Sequence, residues 1–345
     1  MNSAVHQQEP LAPDSRSSLR HERSRRLRQM PWAPLAEKWA LLFFFVVMML
    51  VFIGTASGFS SGQNLRIVVG TQAPLVILAV GAMVPLVVGQ FDLSVAAIAG
   101  TAGIALVTTV DRFHAPLGVG ILVALVIAGL IGLLNGVLVA FVNVNAFIVT
   151  LGVSTVLQGV VQGYTGGGVL TGVNINALET SLAGNAGGIP KGVFWFVPVA
   201  LVVWYLIEQT PFGRHLRSIG SNAGAARLLG IPTRGLTLTT FVMSGVLGGL
   251  AGIALVAQSG SADPSVTLGT ELLPALAAAF LGASAFLPGL FNVAGTVLAI
   301  FFVAFLVNGL QYLGAQPWTS PVINGAVLVG AVTVGSLLRR ERARR

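Results

Sequence analysis

Ten apolar runs, each close to the length of a bilayer-spanning helix, constrain this chain more than any other feature. A hydrocarbon core of ~30 Å is crossed by about 20 apolar residues in helical form. Runs bounded by charge, Pro or Gly/Asn clusters fall near 39–56, 65–88, 93–110, 117–141, 147–164, 193–208, 236–257, 271–287, 292–312 and 319–338. Composition agrees, with 54% hydrophobic and 9% charged residues, against roughly 25% charged in soluble domains. The expectation is an all-α polytopic membrane protein of about ten transmembrane helices, and a soluble enzyme is excluded. Two places are irregular: Gly89-Gln90-Phe91-Asp92 interrupts a long apolar stretch, and the eighth run is short. Either reads as a broken or re-entrant helix.

Charge placement supplies the orientation. Cytoplasmic loops are enriched in Lys and Arg, and ten spans put both termini on one side. Under that arrangement the N-terminal segment to Lys38 carries 7 Lys+Arg, the loop 209–235 carries 4 and the C-terminal tail 5, which is 16 of 19 on one face. Only Arg66, Arg112 and Lys191 fall on the other, so both termini are expected to be cytoplasmic. Nine or eleven spans would split the two Arg-rich ends. The organisation expected is a disordered basic tail over 1–36, a membrane domain over 37–338 with a cytoplasmic loop over 209–235, and a second basic tail over 339–345. The basic tail reads as an orientation signal with affinity for anionic lipid, not as a nucleic-acid arm. A cleaved signal peptide ending near Thr55-Ala56-Ser57 is the competing reading of the N-terminus, against which stand its long polar n-region and the nine spans that follow.

What is missing narrows the chemistry. With no Cys, disulfides, thiolate metal sites and a Cys nucleophile are excluded. The four His residues, His6, His21, His114 and His215, lie in tails or loops without metal-ligand spacing. A phosphate-binding loop needs Gly-x-x-x-x-Gly-Lys-Ser/Thr, and neither lysine, Lys38 or Lys191, sits in that pattern. An ATP-driven process would therefore need a second protein. No His-acid or Ser-Lys pair within the runs suggests an intramembrane hydrolase.

Polar groups inside the runs are few. Asp92 is the one acid well placed for burial, with Glu208 and Glu271 at run ends. It has two readings: a helix cap, its carboxylate accepting from free N–H groups at a helix start, or a functional intramembrane acid. The amides Asn135, Asn145, Gln158, Gln162, Asn308, Gln311 and Asn324 form a neutral pool that donates and accepts at once, matched to a polyhydroxylated solute; each also fits an interhelical hydrogen bond. Asp92, Asn135, Gln158 and Asn308 are the candidates for a translocation path or gate. Small residues spaced four apart, Ala128/Gly132/Gly136 and Ser244/Gly248/Gly252, read as close helix packing.

The segment 210–235 carries helix punctuation. Ser221 or Asn222 can cap, Ala223 to Leu229 can make two turns, Gly230 can end them, and Pro232 bars continuation. A short amphipathic helix there could dock a soluble partner or rest on its own bundle.

At this point the chain resembles the inner-membrane permease subunits of ATP-binding-cassette importers for ribose, xylose and related monosaccharides. The resemblance rests on Phe212-Gly213-Arg214, Ile219-Gly220, Asn222 and Ala225-Ala226-Arg227-Leu228-x-Gly230-Ile231; on Gly89-x-Phe91-Asp92-Leu93-Ser94-Val95; on Phe147-Ile148-Val149-Thr150-Leu151-Gly152; and on Leu281-Gly282-Ala283 through Pro288-Gly289 to Gly295-Thr296. It spans roughly 40–338. Gly224, Gln90 and Ala285-Phe286-Leu287-Pro288 depart from the family pattern. The resemblance implies that Gly220, Asn222, Ala225, Ala226, Arg227 and Gly230 couple to a separate ATPase. ATP and Mg would sit in that ATPase, and this chain would carry no catalytic residue, cofactor or metal. It further implies an extracytoplasmic sugar-binding protein, a second permease chain and a bacterial inner-membrane location, with transport of a neutral monosaccharide or similar polyol. A branched-chain amino acid permease of the same superfamily and a proton-coupled secondary transporter using Asp92 are the alternatives.

Overall fold

In the computed structural model, which describes residues 33–172, 175–182 and 184–343, the chain is built almost entirely of helices. In order they are α1 (Ala33–Thr55), α2 (Gly62–Thr71), α3 (Ala73–Val87), α4 (Val95–Val107), α5 (Leu117–Ala140), α6 (Ala146–Thr165), α7 (Asn176–Leu182), α8 (Lys191–Trp204), α9 (Pro211–Ser221), α10 (Ala223–Leu228), α11 (Thr233–Ser259), α12 (Leu272–Gly282), α13 (Val293–Tyr312) and α14 (Thr319–Ala343). Single π-helical turns extend α4 through Arg112 and α8 through Gln209. Among the described residues seven helices are long and apolar enough to cross a membrane, and the bent pair α2–α3 makes up to eight; α12 and the apolar part of α14 are shorter. Of the expected tail over 1–36, residues 1–32 lie outside the described residues. At the other end, α14 continues to Ala343 where a tail was expected from 339.

Two of the predicted runs are corrected. Residues 65–88 form two helices bent by 40° at Thr71–Ala73, because Pro74 has no N–H and its ring crowds the carbonyl one turn back. The eighth run, 271–287, is helical only to Gly282. Beyond it the chain makes irregular turns through 283–292, held by Asn292: its Nδ2 donates to the carbonyls of Gly282, Ala285 and Leu290 at 3.0–3.2 Å, and its Oδ1 accepts from Gly295 N at 2.7 Å. The interruption at 88–94 is a connection between α3 and α4.

The helix ends gather into two groups. At one end, Phe286 N donates to Lys38 O, Val293 N donates to the Glu208 carboxylate, and Gly220 packs on the Val87 carbonyl. At the other, Leu170–Thr171 pairs antiparallel with Ser261–Ala262, and Gly58 packs on the Tyr312 ring. Consecutive long helices therefore run in alternating directions, and the Arg-bearing segment 209–235 sits at the first end.

Helix α11 is the axis. It packs on α5, α3 and α4, and 72% of its most apolar stretch is buried, against 11% for α1. Small residues allow this approach. A Cβ on Gly252 would strike the Ala99 backbone of α4, and one on Gly132 would lie 2.5 Å from the Phe241 carbonyl. Both stripes read from the sequence thus serve packing, on different faces: Ser244/Gly248/Gly252 receives α3 and α4, while Gly132 and Gly136 of α5 receive α11 at Phe241 and Leu238.

Candidate functional site

Two of the sequence stretches that carry the family resemblance, 89–95 and 147–152, meet around Asp92. The residue is 1% exposed, yet no cation faces it among the described residues. Its Oδ1 accepts from Ser94 N at 2.9 Å and Ser94 Oγ at 2.6 Å, and its Oδ2 accepts from Ser244 Oγ of α11 at 2.7 Å. Asn135 of α5 donates from Nδ2 to Ser94 Oγ at 2.8 Å, and Leu93 N donates to Thr150 Oγ1 of α6 at 3.1 Å. The carboxylate therefore satisfies a backbone N–H just ahead of α4, as the capping reading expected. It also ties the start of α4 to α11, and through Ser94 to α5. The cap itself is Ser94, whose side chain makes no cap bond. The sequence carried no sign of Ser244 as a partner, because it lies 152 residues away.

The stretch within 212–231 packs just ahead of this knot, on the end of α3. In α9, Gly220 meets the backbone of Val87 and Val88, where any side chain would collide. Asn222 caps α10, its Oδ1 accepting from Ala225 N at 3.0 Å. Gly230 ends that turn with φ +78°, in the left-handed region that favours glycine. The six candidate coupling residues divide by position. Gly220 and Ala226 face the protein, Asn222 and Gly230 shape the turn, and Ala225 and Arg227 are exposed. The most exposed apolar groups of the segment are Leu228 at 91% and Leu229 at 80%.

A separate polar cavity of ≈470 Å³ lies near the opposite end. Thr71 and Gln72 at the α2–α3 bend, Thr270 and Glu271 ahead of α12, Asn308 and Gln311 of α13, and Ser320 and Asn324 of α14 supply its polar lining. Asn308 is paired amide to amide with Asn64 of α2, at 2.8 and 3.1 Å. Of the four path candidates, only Asn308 lines this cavity. Asp92 and Asn135 belong to the knot, and Gln158 lies half-buried on α6, away from both. Asn145 caps α6, accepting from Phe147 N. Gln72 and Glu271 were missed as cavity groups because their positions, at a bend and a helix start, carry no apolar periodicity to orient them. Among the described residues no group of His, Asp and Glu is arranged to hold a metal ion.

The family model for the permease component of the branched-chain amino acid transport system matches residues 64–332. The chain belongs to this permease family. Among its relatives, the ribose import permease of Escherichia coli K12 is 34% identical over 75% of the permease and 81% of the relative. The ribose import permease of Haemophilus influenzae is 31% identical over 82% and 88%. The D-allose transport system permease of Escherichia coli K12 is 28% identical over 86% and 91%. No solved structure matches the permease significantly. The matched region takes in α3–α13, the knot, the cavity and the segment 209–235, so the permease is a multi-pass membrane transport component.

Proposed function

We propose that the permease is the membrane-spanning subunit of a binding-protein-dependent importer that moves a neutral monosaccharide or similar polyol across the bacterial inner membrane. A separate ATPase, holding ATP and Mg, would dock at the end carrying α10, and a binding protein would deliver substrate at the opposite end. A second permease chain would complete the path. Ten spans with both termini cytoplasmic fit this reading, since the helix ends that cluster with Gly220 are also those beside the Arg-rich loop.

One observation carries the docking half of this proposal: Leu228 and Leu229 stand almost fully exposed at the end of a short capped helix, on the end of the bundle that bears the Arg-rich loop. Exposed adjacent leucines beside Arg227 supply an apolar anchor with a charged flank, as protein interfaces do. A push on α10 would pass through α9 and Gly220 to the Val87 backbone, and thence to the Asp92 loop. The relatives named for ribose and allose favour a polyol over a branched-chain amino acid. A proton-coupled carrier is disfavoured, because Asp92 is enclosed by hydroxyl and backbone donors and does not line the cavity.

The test uses the permease co-expressed with its ATPase. Leu228→Glu with Leu229→Glu should leave membrane insertion and monodispersity unchanged. Each buried Leu contributes about 1.5–3 kcal/mol, so ATPase co-purification should weaken by a factor of about 100 or more. Ala226→Trp should instead destabilise the permease itself, since Ala226 is buried in its own chain. Normal ATPase assembly by the double glutamate variant would remove the docking surface from the proposal.

A further inference from the structure

Among the described residues, Glu271 is the one ionisable side chain lining the polar cavity. It makes no side-chain hydrogen bond or ion pair with another described residue, and it is half-buried in a wall otherwise built of amides, hydroxyls and aliphatic groups. Gln72, Gln311 and Asn324 are likewise without side-chain hydrogen bonds among the described residues, and Asn308 keeps one N–H outside its pair with Asn64. A half-buried carboxylate and four amides with spare hydrogen-bonding capacity thus face one space.

We propose that this cavity is a polyol site in the permease itself, with Glu271 as its selectivity residue. A carboxylate accepts from two neighbouring hydroxyls at once, and amides on the facing walls donate to hydroxyl oxygens and accept from their protons. A volume of ≈470 Å³ lies within the ~300–1,000 Å³ of small-molecule sites. Pro274, Pro321 and Val307 give the apolar faces that a sugar's C–H surface needs. The same carboxylate repels anions: a sugar acid or sugar phosphate meets a like charge at low effective dielectric. A simple cation would engage the carboxylate and the amide and hydroxyl oxygens but leave their N–H and O–H groups unused, whereas a polyol uses both. The substrate class rests on the importer reading above; the charge selectivity rests on the cavity alone.

The absence of Cys makes a direct test available in the full-length permease. A single cysteine at Ser320→Cys, on the cavity wall, is reacted with a cationic and an anionic methanethiosulfonate of similar size. With Glu271 present the cationic reagent should react faster, by a factor of about ten, and Glu271→Gln should abolish the bias while Glu271→Asp keeps it. Millimolar D-ribose should slow labelling several-fold in the Glu271 background and lose that effect in Glu271→Gln, whereas D-ribonate should protect only after Glu271→Gln. A cysteine that shows no charge bias, or that is protected by choline and not by ribose, overturns the assignment, and neither outcome requires that Glu271→Gln fold. Loss of the importer reading would register separately, as a permease that fails to assemble with any ATPase while ribose still protects the cysteine.

Discussion

Asp92→Asn and Asp92→Ala should separate sharply, although both remove the charge. The carboxylate receives three hydrogen bonds, from Ser94 N, Ser94 Oγ and Ser244 Oγ. An asparagine is isosteric. Its Oδ1 keeps both bonds from Ser94, and the Ser244 hydroxyl turns to accept from its Nδ2, so the loss is confined to charge assistance, about 1–2 kcal/mol. Alanine leaves all three donors buried without a partner, at about 1–3 kcal/mol each. The sum of about 3–9 kcal/mol rivals the whole stability of a typical domain, about 5–15 kcal/mol. Ser244→Ala, removing one bond, should fall between. The assay is the monodisperse yield and the melting temperature of the detergent-solubilised permease, alongside ATP-driven uptake into proteoliposomes. Asp92→Asn should assemble and transport; Asp92→Ala should accumulate poorly. An Asp92→Ala permease as stable as the parent would refute the structural role of the knot. A well-assembled Asp92→Asn permease that exchanges substrate but cannot accumulate it would instead make Asp92 a proton site.

Two further predictions follow from the packing and the helix directions. Gly252→Leu places a side chain against the Ala99 backbone and should cost about 1–3 kcal/mol or more, read as a lower melting temperature. Leu130→Ala on the exposed face of α5 should leave that temperature nearly unchanged. In intact cells, a single cysteine at Asn185, which is exposed at one end of the bundle, should be labelled by an impermeant thiol reagent, and one at Leu229, exposed at the other, should not; labelling of Leu229→Cys from outside would invert the orientation.

Much of the fold was legible in the sequence because hydrocarbon thickness dictates segment length: seven of the ten apolar runs hold a helix long enough to cross a membrane and an eighth a bent pair, whereas the helices in the other two are shorter. The bend at Thr71–Ala73 was signalled by Pro74, but hydropathy averages over a break only three residues wide. Gly282 ends α12 because Asn292 captures three carbonyls downstream, a tertiary event with no local periodicity. The site was legible in kind and not in arrangement. Asp92 was readable as a helix-start acid, though the cap position falls to Ser94, and Asn308, Gln311 and Asn324 as polar lining. Helices that are apolar all round give no azimuth, so nothing in the sequence assigned Asn135 to the knot, Gln158 to neither place, or Glu271 to the cavity. The short helix α10 was readable from its cap and terminator, whereas the inward turn of Ala226 depended on where α9 lies.

The helix at the centre of the bundle is also one of the later ones to leave the ribosome. Synthesis proceeds from the N-terminus, so α3, α4 and α5 are already in the bilayer before residues 233–259 exist. Until then Gly132 has lipid where Phe241 will sit, and Asp92 holds only its local bonds to Ser94, one oxygen still waiting for the Ser244 hydroxyl. Nascent chains shorter than about 260 residues therefore carry a buried acid with one oxygen not yet hydrogen-bonded to Ser244, a cost that falls on every unfinished molecule. Arrival of α11 closes the small-residue seams and completes the carboxylate's shell in one step, so a chain stalled or truncated between α10 and α11 presents to membrane proteases a signal that the finished permease hides.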